Sequence, residues 1–372
     1  MKICYLNSGY LPDRGGVATF AGSLGYAMSQ QADVDQVKVI GFNNSKPRAE
    51  HLRNLEIITF GRVGLLKMSW LVFKHVLKAR NFEVFHATNL FPVGTLVLLF
   101  AKYFFGKKVF VTIYGTEIMS TLQSGRVRFL RKWTMRLCDK VLALSNSTAN
   151  LARSAYGLNP GQVKVVYPGV DDKLFDGPRI DVRAHYGFQS QDFVVLTVGQ
   201  LIKRKGVDDI IKAIGKISDP SVKLLIVGKG KEETNLSALV SDLHLGGRVI
   251  FAGSVSNISN YYRSANVFVM ASKYLREQGD IEGLGIVLLE AQYFGIPVIG
   301  TDSGGIPEAF LDGQTGLLVP EGNPEMLAQK ILELRNNHER AAQMSEKAKS
   351  FVRENFNWEK SVAEHLDLYR GS

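Results

Sequence analysis

Short runs of aliphatic and β-branched residues alternate along the chain with stretches whose apolar positions return every three to four residues. The early runs are residues 2–6, 37–42, 84–87, 109–113 and 140–144, and the later ones 193–198, 222–227, 249–252, 266–270 and 296–300. Each has the length and composition of a strand. The segment 207–217 shows the intervening pattern, with Val207, Ile210, Ile211, Ile214 and Ile217 on one helical stripe. Strands interleaved with helices imply doubly wound parallel sheets, and ten such strands divide more naturally into two sheets of five or six than into one.

Between the two series, Pro168, Gly169, Gly177 and Pro178 interrupt both periods, which places an interdomain linker within 166–180. The expected domains are 1–176 and 177–356, with a C-terminal helix over 357–372 packing back on the first. Before it, Asn323-Pro324 reads as an N-cap followed by proline at the first helical position. The expected fold class is α/β: two Rossmann-like domains facing each other across a cleft, with ligand bound at the carboxyl ends of their sheets.

At 372 residues the chain is long for one core, and 45% hydrophobic with 22% charged residues is too balanced for disorder. The net charge of +10 is unevenly spread: residues 1–180 hold 24 basic and 11 acidic side chains, residues 181–372 hold 21 and 24. That asymmetry points to an anionic partner for the first half. Two cysteines, Cys4 and Cys138, supply no disulfide framework, and the N-terminus shows no export signal, so a cytoplasmic setting is expected. The most apolar segment, 90–105, is broken by Pro92, Gly94, Thr95 and Lys102 and is too short for a membrane span.

The most informative stretch runs from Glu282 to Glu290, with sequence EGLGIVLLE. The helical pattern begins at Leu284 and is closed by Gly295. Glu282 therefore lies just before a helix, and Glu290 about two turns inside it, roughly 12 Å along. Two carboxylates so spaced can reach the sugar and the ribose of a nucleotide-sugar. Between them, amides of Gly283, Leu284, Gly285 and Ile286 offer a helix N-terminus to the diphosphate.

This stretch resembles the retaining glycosyltransferases of family 4, which have the GT-B fold. The resemblance continues through Gly295-Ile-Pro-Val and Ser303-Gly-Gly-Ile-Pro-Glu308, and back through Gly15-Gly16, Pro168-Gly-Val-Asp171 with Phe175, Val198-Gly199, Arg204-Lys205-Gly206 and Val227-Gly-Lys-Gly230. It implies that Lys205, with Arg204, holds the donor diphosphate in place of a divalent metal, so neither metal nor cofactor is expected and the nucleotide-sugar is a substrate. Glu290 is implied as the ribose acceptor, Glu282 as a contact to the transferred sugar, and Val255 as part of the rim that receives the base. Gly15 and Gly16 let backbone amides approach phosphate closely.

Two departures stand out. Gln200 replaces the arginine usual after Val198-Gly199, so it brings a hydrogen bond without charge. Tyr114 stands where family members commonly have histidine near the reacting sugar, and a tyrosine is no base near pH 7. His86, at the end of the run 84–87, is the alternative by topology.

Filling of the glutamate motif, with Asp280-Ile281 before it, looks most like the GDP-mannose-dependent mannosyltransferases. The resemblance thus implies a retaining hexosyltransferase moving a mannose- or glucose-type sugar to an acceptor hydroxyl, with a role in cell-envelope polysaccharide or glycolipid synthesis. The basic half carries amphipathic, aromatic-containing stretches over 64–78 and 126–140, which suit an anionic membrane surface at up to about 1 kcal/mol per cation. A lipid-linked or glycan acceptor at the inner face of the cytoplasmic membrane follows. The alternatives are a UDP-N-acetylglucosamine-type epimerase on the same fold, which needs no acceptor, and a nicotinamide dehydrogenase, which lacks its Gly-x-Gly-x-x-Gly after the first strand. A nucleic-acid partner would leave the glutamate pair without a purpose.

Overall fold

Alternate residues of the same strands enter two different cores, because successive side chains of a strand point to opposite faces. In the computed structural model, which describes residues 1–10, 16–43, 47–61, 63–115, 118, 125–170 and 177–371, this is plainest in the first unit, Met1–Gly169 with the chain from Trp358 onward. Ile3 and Tyr5 pack on one side of the sheet with Phe20, Leu24 and Met28 of the helix Gly16–Ser29. Cys4 and Leu6 pack on the other, with Val72, Val76, Val97, Leu98 and Met135 of the helices Leu65–Lys78, Pro92–Phe105 and Gly125–Leu137.

The strands of this sheet are β1 (Lys2–Asn7), β2 (Gln36–Phe42), β3 (Arg48–Leu52), β4 (Leu55–Phe60), β5 (Val84–Ala87), β6 (Lys108–Ile113), β7 (Lys140–Ala143) and β8 (Val163–Val165). Their order is β3-β4-β2-β1-β5-β6-β7-β8, parallel except for the β3–β4 hairpin. The C-terminal helix Trp358–Gly371 covers the same face as the helix Gly16–Ser29, burying Trp358, Val362, Leu366 and Tyr369. Its carboxyl end is met by Lys108, whose Nζ donates to the carbonyls of Tyr369 (3.0 Å) and Arg370 (2.9 Å), the favourable pairing of a cation with a helix C-terminus.

The second unit, Val170–Asn357, holds β9 (Phe193–Val198), β10 (Val222–Val227), β11 (Val249–Gly253), β12 (Val267–Met270), β13 (Val298–Thr301) and β14 (Gly316–Val319), in the order β11-β10-β9-β12-β13-β14. Every pairing is parallel. All five stripe residues read from the sequence, Val207 to Ile217, are buried. The strand order reverses between β9 and β12, and in open parallel sheets ligands bind at the carboxyl ends beside that reversal.

Among the described residues the sheets have eight and six strands, where the sequence pattern gave five or six each. The strands missing from that reading are β3, β4, β8 and β14. β3 carries Arg48, Glu50 and His51 among its five residues, β4 is only partly buried along most of its length, β8 has three residues, and β14 offers three apolar residues after Gly316, so none shows a sustained apolar run.

Candidate active site

The loops leaving β9 and β12 bring one group of charges together. After β9 the chain makes a 3-10 turn, Lys203–Lys205, and enters the helix Val207–Lys216 through Gly206. Gly206 has φ of 61°, and a Cβ there would sit 1.8 Å from the carbonyl oxygen of Ala271, just past β12. Only glycine lets these loops touch. From β12 the chain runs through Ser272 and Asp280 to Glu282, whose main chain is gripped by the loop after β13. The Gly305 amide donates to the Glu282 carbonyl at 3.0 Å, and a Cβ on Gly304 (φ 58°) would lie 2.1 Å from that oxygen.

Held this way, the Glu282 carboxylate receives Lys205 Nζ at 2.7 Å, the Arg204 guanidinium and the Ser272 hydroxyl at 3.3 Å, all on Oε2. Arg204 also pairs through Nε with Asp280 at 2.8 Å. The side chains of Arg204, Lys205 and Glu282 are 12%, 17% and 13% exposed, so their charges act in a poorly screened setting. Burial alone would raise the Glu282 pKa; the Lys205 ammonium and Arg204 guanidinium outweigh it and hold the carboxyl at about 2. Two cations are thus matched by two carboxylates, Asp280 and Glu282.

Behind this group stands another. Lys273 donates its amide to the Arg204 carbonyl at 2.7 Å, while its Nζ lies 2.9 Å from both Asp208 and Asp209 at the start of the helix Val207–Lys216. Lys212 adds a second partner for Asp208 at 3.0 Å. Burial works against the Asp208 charge, but hydrogen bonds from Lys273 and Lys212 bring its pKa below the ordinary value. The backbone bearing Arg204 is therefore tied to the helix it precedes.

Glu290 lies in a different environment, on the helix Ile286–Tyr293, where the Tyr262 hydroxyl donates to its Oε2 at 2.6 Å. Burial raises its pKa despite that hydrogen bond. The helix begins later than the sequence pattern suggested: Gly285, at φ of 84°, is its N-cap, so the leading amides are those of Ile286 and Val287, while Gly283 and buried Leu284 belong to the loop. Gln200 is exposed at the end of β9, and with Gly199, Lys205, Val227 and Met270 it lines a recess at the carboxyl ends of β9, β10 and β12. Val255, half-buried, follows β11 at the same edge of the sheet.

The remaining candidates lie in the first unit. Gly16 is exposed and opens its helix after β1; Gly15 lies outside the described residues, as do Asp171, Asp172 and Phe175. Tyr114 follows β6 and packs edge-on against Phe20, 5.9 Å between ring centroids. His86 requires a correction. It is fully buried within β5, its Nδ1 paired with the Tyr369 hydroxyl at 2.6 Å and its Nε2 with the Thr112 hydroxyl at 2.8 Å. Burial, assisted by nearby His365, pushes its pKa well below the usual histidine range. It is a neutral core residue that anchors the C-terminal helix, with no open nitrogen for a substrate.

Ser272, Tyr262 and Lys273 were not singled out in the sequence, and Asp280 entered only as part of the filling of the glutamate motif, not as the partner of Arg204. For Lys273 the only signal was charge within the loop after β12; nothing in the spacing of Ser272 or Tyr262 announced a carboxylate partner.

Comparison with known proteins agrees with this geometry. The family profile described as Glycosyl transferases group 1 matches residues 178–351, and that described as Glycosyltransferase Family 4 matches residues 14–174. The chain is 29% identical over 298 residues (79% of this chain, 76% of the relative) to an N-acetyl-alpha-D-glucosaminyl L-malate synthase of Bacillus anthracis. It is 31% identical over 265 residues (70% and 69%) to a GDP-mannose-dependent monoacylated alpha-(1-6)-phosphatidylinositol monomannoside mannosyltransferase of Corynebacterium glutamicum. Among solved structures, sucrose-phosphate synthase from Thermosynechococcus elongatus superposes with a TM-score of 0.83 at 23% identity, covering 100% of this chain and 98% of that one. With its two parallel-sheet units and these relatives, the chain belongs to glycosyltransferase family 4, has the GT-B fold and is a transferase acting on nucleotide-sugars.

Proposed function

We propose that the chain moves a hexose of mannose or glucose type from a nucleoside-diphosphate sugar to a hydroxyl of a lipid or lipid-linked glycan, with retention of anomeric configuration, in cell-envelope polysaccharide or glycolipid synthesis. The observation that carries this reading is the convergence of Arg204, Lys205 and Glu282 beside the strand reversal. Two cations there match a diphosphate in charge, and the loop geometry holds them in place before any ligand arrives. GDP-mannose is the favoured donor, because the Glu282 segment and the mannosyltransferase relative point the same way.

In the proposed reaction the bond from the sugar C1 to the diphosphate oxygen breaks while a bond from C1 to the acceptor oxygen forms on the same face. The acceptor proton passes to the departing phosphate. Lys205, Arg204 and the amides of Ile286 and Val287 stabilise the negative charge developing on that phosphate, so no metal ion is required. Glu290 takes the ribose hydroxyls, Glu282 turns a carboxylate oxygen to the sugar, and Gln200 and Val255 contact the rest of the nucleotide. Gly16 and Tyr114 are assigned to the acceptor side.

The test is incubation with GDP-mannose or UDP-glucose, with and without a membrane-lipid extract, in the presence of a metal chelator. Acceptor-dependent release of nucleoside diphosphate and an axial new linkage by NMR are expected. Inverted linkage, chelator-sensitive turnover, or sugar isomerisation without acceptor would each overturn part of the reading.

A further inference from the structure

The helices Leu65–Lys78 and Pro92–Phe105 pack side by side over one face of the first unit's sheet, and each has a second apolar side turned away from the core. On the first helix, Val72 and Val76 are buried, while Leu66, Trp70, Phe73 and Leu77 form a separate stripe, 38% to 88% exposed. At 100° per residue these four fall within about 60° of arc. On the second, Leu96, Tyr103 and Phe104 are exposed. The two sides make one surface, since the Phe73 and Phe100 rings lie 4.9 Å apart and Phe100 and Phe104 stack at 4.6 Å. The neighbouring helix Gly125–Leu137 adds exposed Phe129 and Trp133; the side chains of Arg126, Val127 and Arg128 lie outside the described residues.

Charge identifies what this surface meets. Residues 57–138, which contain all three helices, carry thirteen lysines and arginines against two glutamates, Glu83 and Glu117, an excess of +11 that exceeds the +10 of the whole chain. Lys67, Lys74 and Lys78 are exposed and project along one flank of the Leu66–Leu77 stripe. No ion pair among the described residues engages them, and Lys74 sits over the Trp70 ring at 5.0 Å. A second copy of this chain would set these exposed lysines against their own counterparts. A nucleic acid would find phosphate partners but nothing for the leucines.

We propose that this aromatic, cation-flanked face is the seat of an anionic lipid bilayer, with Leu66, Trp70, Leu96, Tyr103 and Phe104 entering the interface and the flanking lysines meeting the headgroups. Among the described residues no helix is long and apolar enough to cross a membrane, so docking is through a surface. The proposal stands apart from the donor reading, because it concerns a different unit and is measured without substrate.

Cosedimentation of the full chain with vesicles of phosphatidylcholine alone, or with 30% phosphatidylglycerol added, tests it, with brominated lipids to quench tryptophan. Binding is expected to anionic vesicles only, to weaken between low and high salt, and to bring quenching that Trp70→Phe reduces. Lys67→Gln, Lys74→Gln and Lys78→Gln together should lower apparent affinity roughly a hundredfold, about fivefold for each cation lost at the surface. Leu66→Ser with Phe104→Ser should abolish quenching while melting temperature and nucleotide binding stay unchanged. Equal binding to neutral vesicles, indifference to both sets of substitutions, or concentration-dependent self-association lost in Leu66→Ser would overturn the proposal, the last assigning the face to a second copy.

Discussion

The two units treat positive charge in opposite ways. In the second, Arg204 and Lys205 are largely withdrawn from water and each is matched to a carboxylate, Glu282 among them held by the close approach of Gly304 to its main chain. In the first, Lys67, Lys74 and Lys78 stand in solvent beside exposed leucine and aromatic side chains. Matched, buried charges define a position to within an ångström and suit one small ligand. Spread, solvated charges suit a large surface that meets them in many arrangements. The basic composition therefore reports the first unit's surface, while the proposed chemistry rests on two cations whose charge is matched locally.

The strongest way to break this contrast is to remove one matched cation. Lys205→Ala should lower kcat/KM by two to three orders of magnitude, about 3–4 kcal/mol of lost charge stabilisation, while vesicle binding and the fold are preserved. Loss of vesicle binding in the same variant would show that the units are not separable in this sense.

Next in size is Glu282→Gln, which leaves two nearly buried cations with one carboxylate. Removing a partner from such a group costs about 3 kcal/mol, read as a lower melting temperature at pH 7. The sign with pH follows from the Glu282 carboxyl being held at about 2 against an ordinary 4.5. Its contribution is complete above the ordinary value and is lost as pH falls toward 2, so wild type and variant should converge in acid. A gap that widens in acid would contradict the assigned ion pairs.

Smallest is Glu290→Gln, with the opposite sign. The Glu290 carboxyl is raised by burial, so its ionisation in the folded chain opposes stability as pH rises through its folded pKa. Gln still accepts the Tyr262 hydroxyl, so the variant should melt slightly higher at pH 8 and lose that advantage in acid. It should also bind nucleoside diphosphate about tenfold more weakly, the worth of one charge-assisted hydrogen bond. Calorimetry on one preparation reads both.

Much of the second unit was legible in the sequence because its strands are continuous apolar runs and its helix Val207–Lys216 has a clean stripe. β9 and β10 occupy the residues the runs gave, 193–198 and 222–227. The glycines of the site were legible as motifs, but their reason was not: that Gly206 and Gly304 admit backbone oxygens from loops 65 and 22 residues away emerges only once the strands are paired. The order in which β9 and β12 come together also decides that Arg204 meets Asp280, a pairing no local spacing specifies. His86 misled for a related reason. The end of a four-residue strand looks like a sheet edge in sequence, yet the C-terminal helix, distant in the chain, closes over it with Tyr369 and His365. The exposed stripes on Leu65–Lys78 and Pro92–Phe105 were half legible: amphipathicity was visible for the first, but which apolar residues face the core depends on packing.

The central claim is that Arg204 and Lys205, neutralised by Glu282 and Asp280, are the diphosphate site of the donor. Isothermal titration of GDP, UDP and unphosphorylated guanosine into wild type and Lys205→Ala tests it most directly. The account predicts that a diphosphate binds wild type far better than the nucleoside, and that Lys205→Ala erases most of that difference. Equal affinity of the variant for the diphosphate would contradict it.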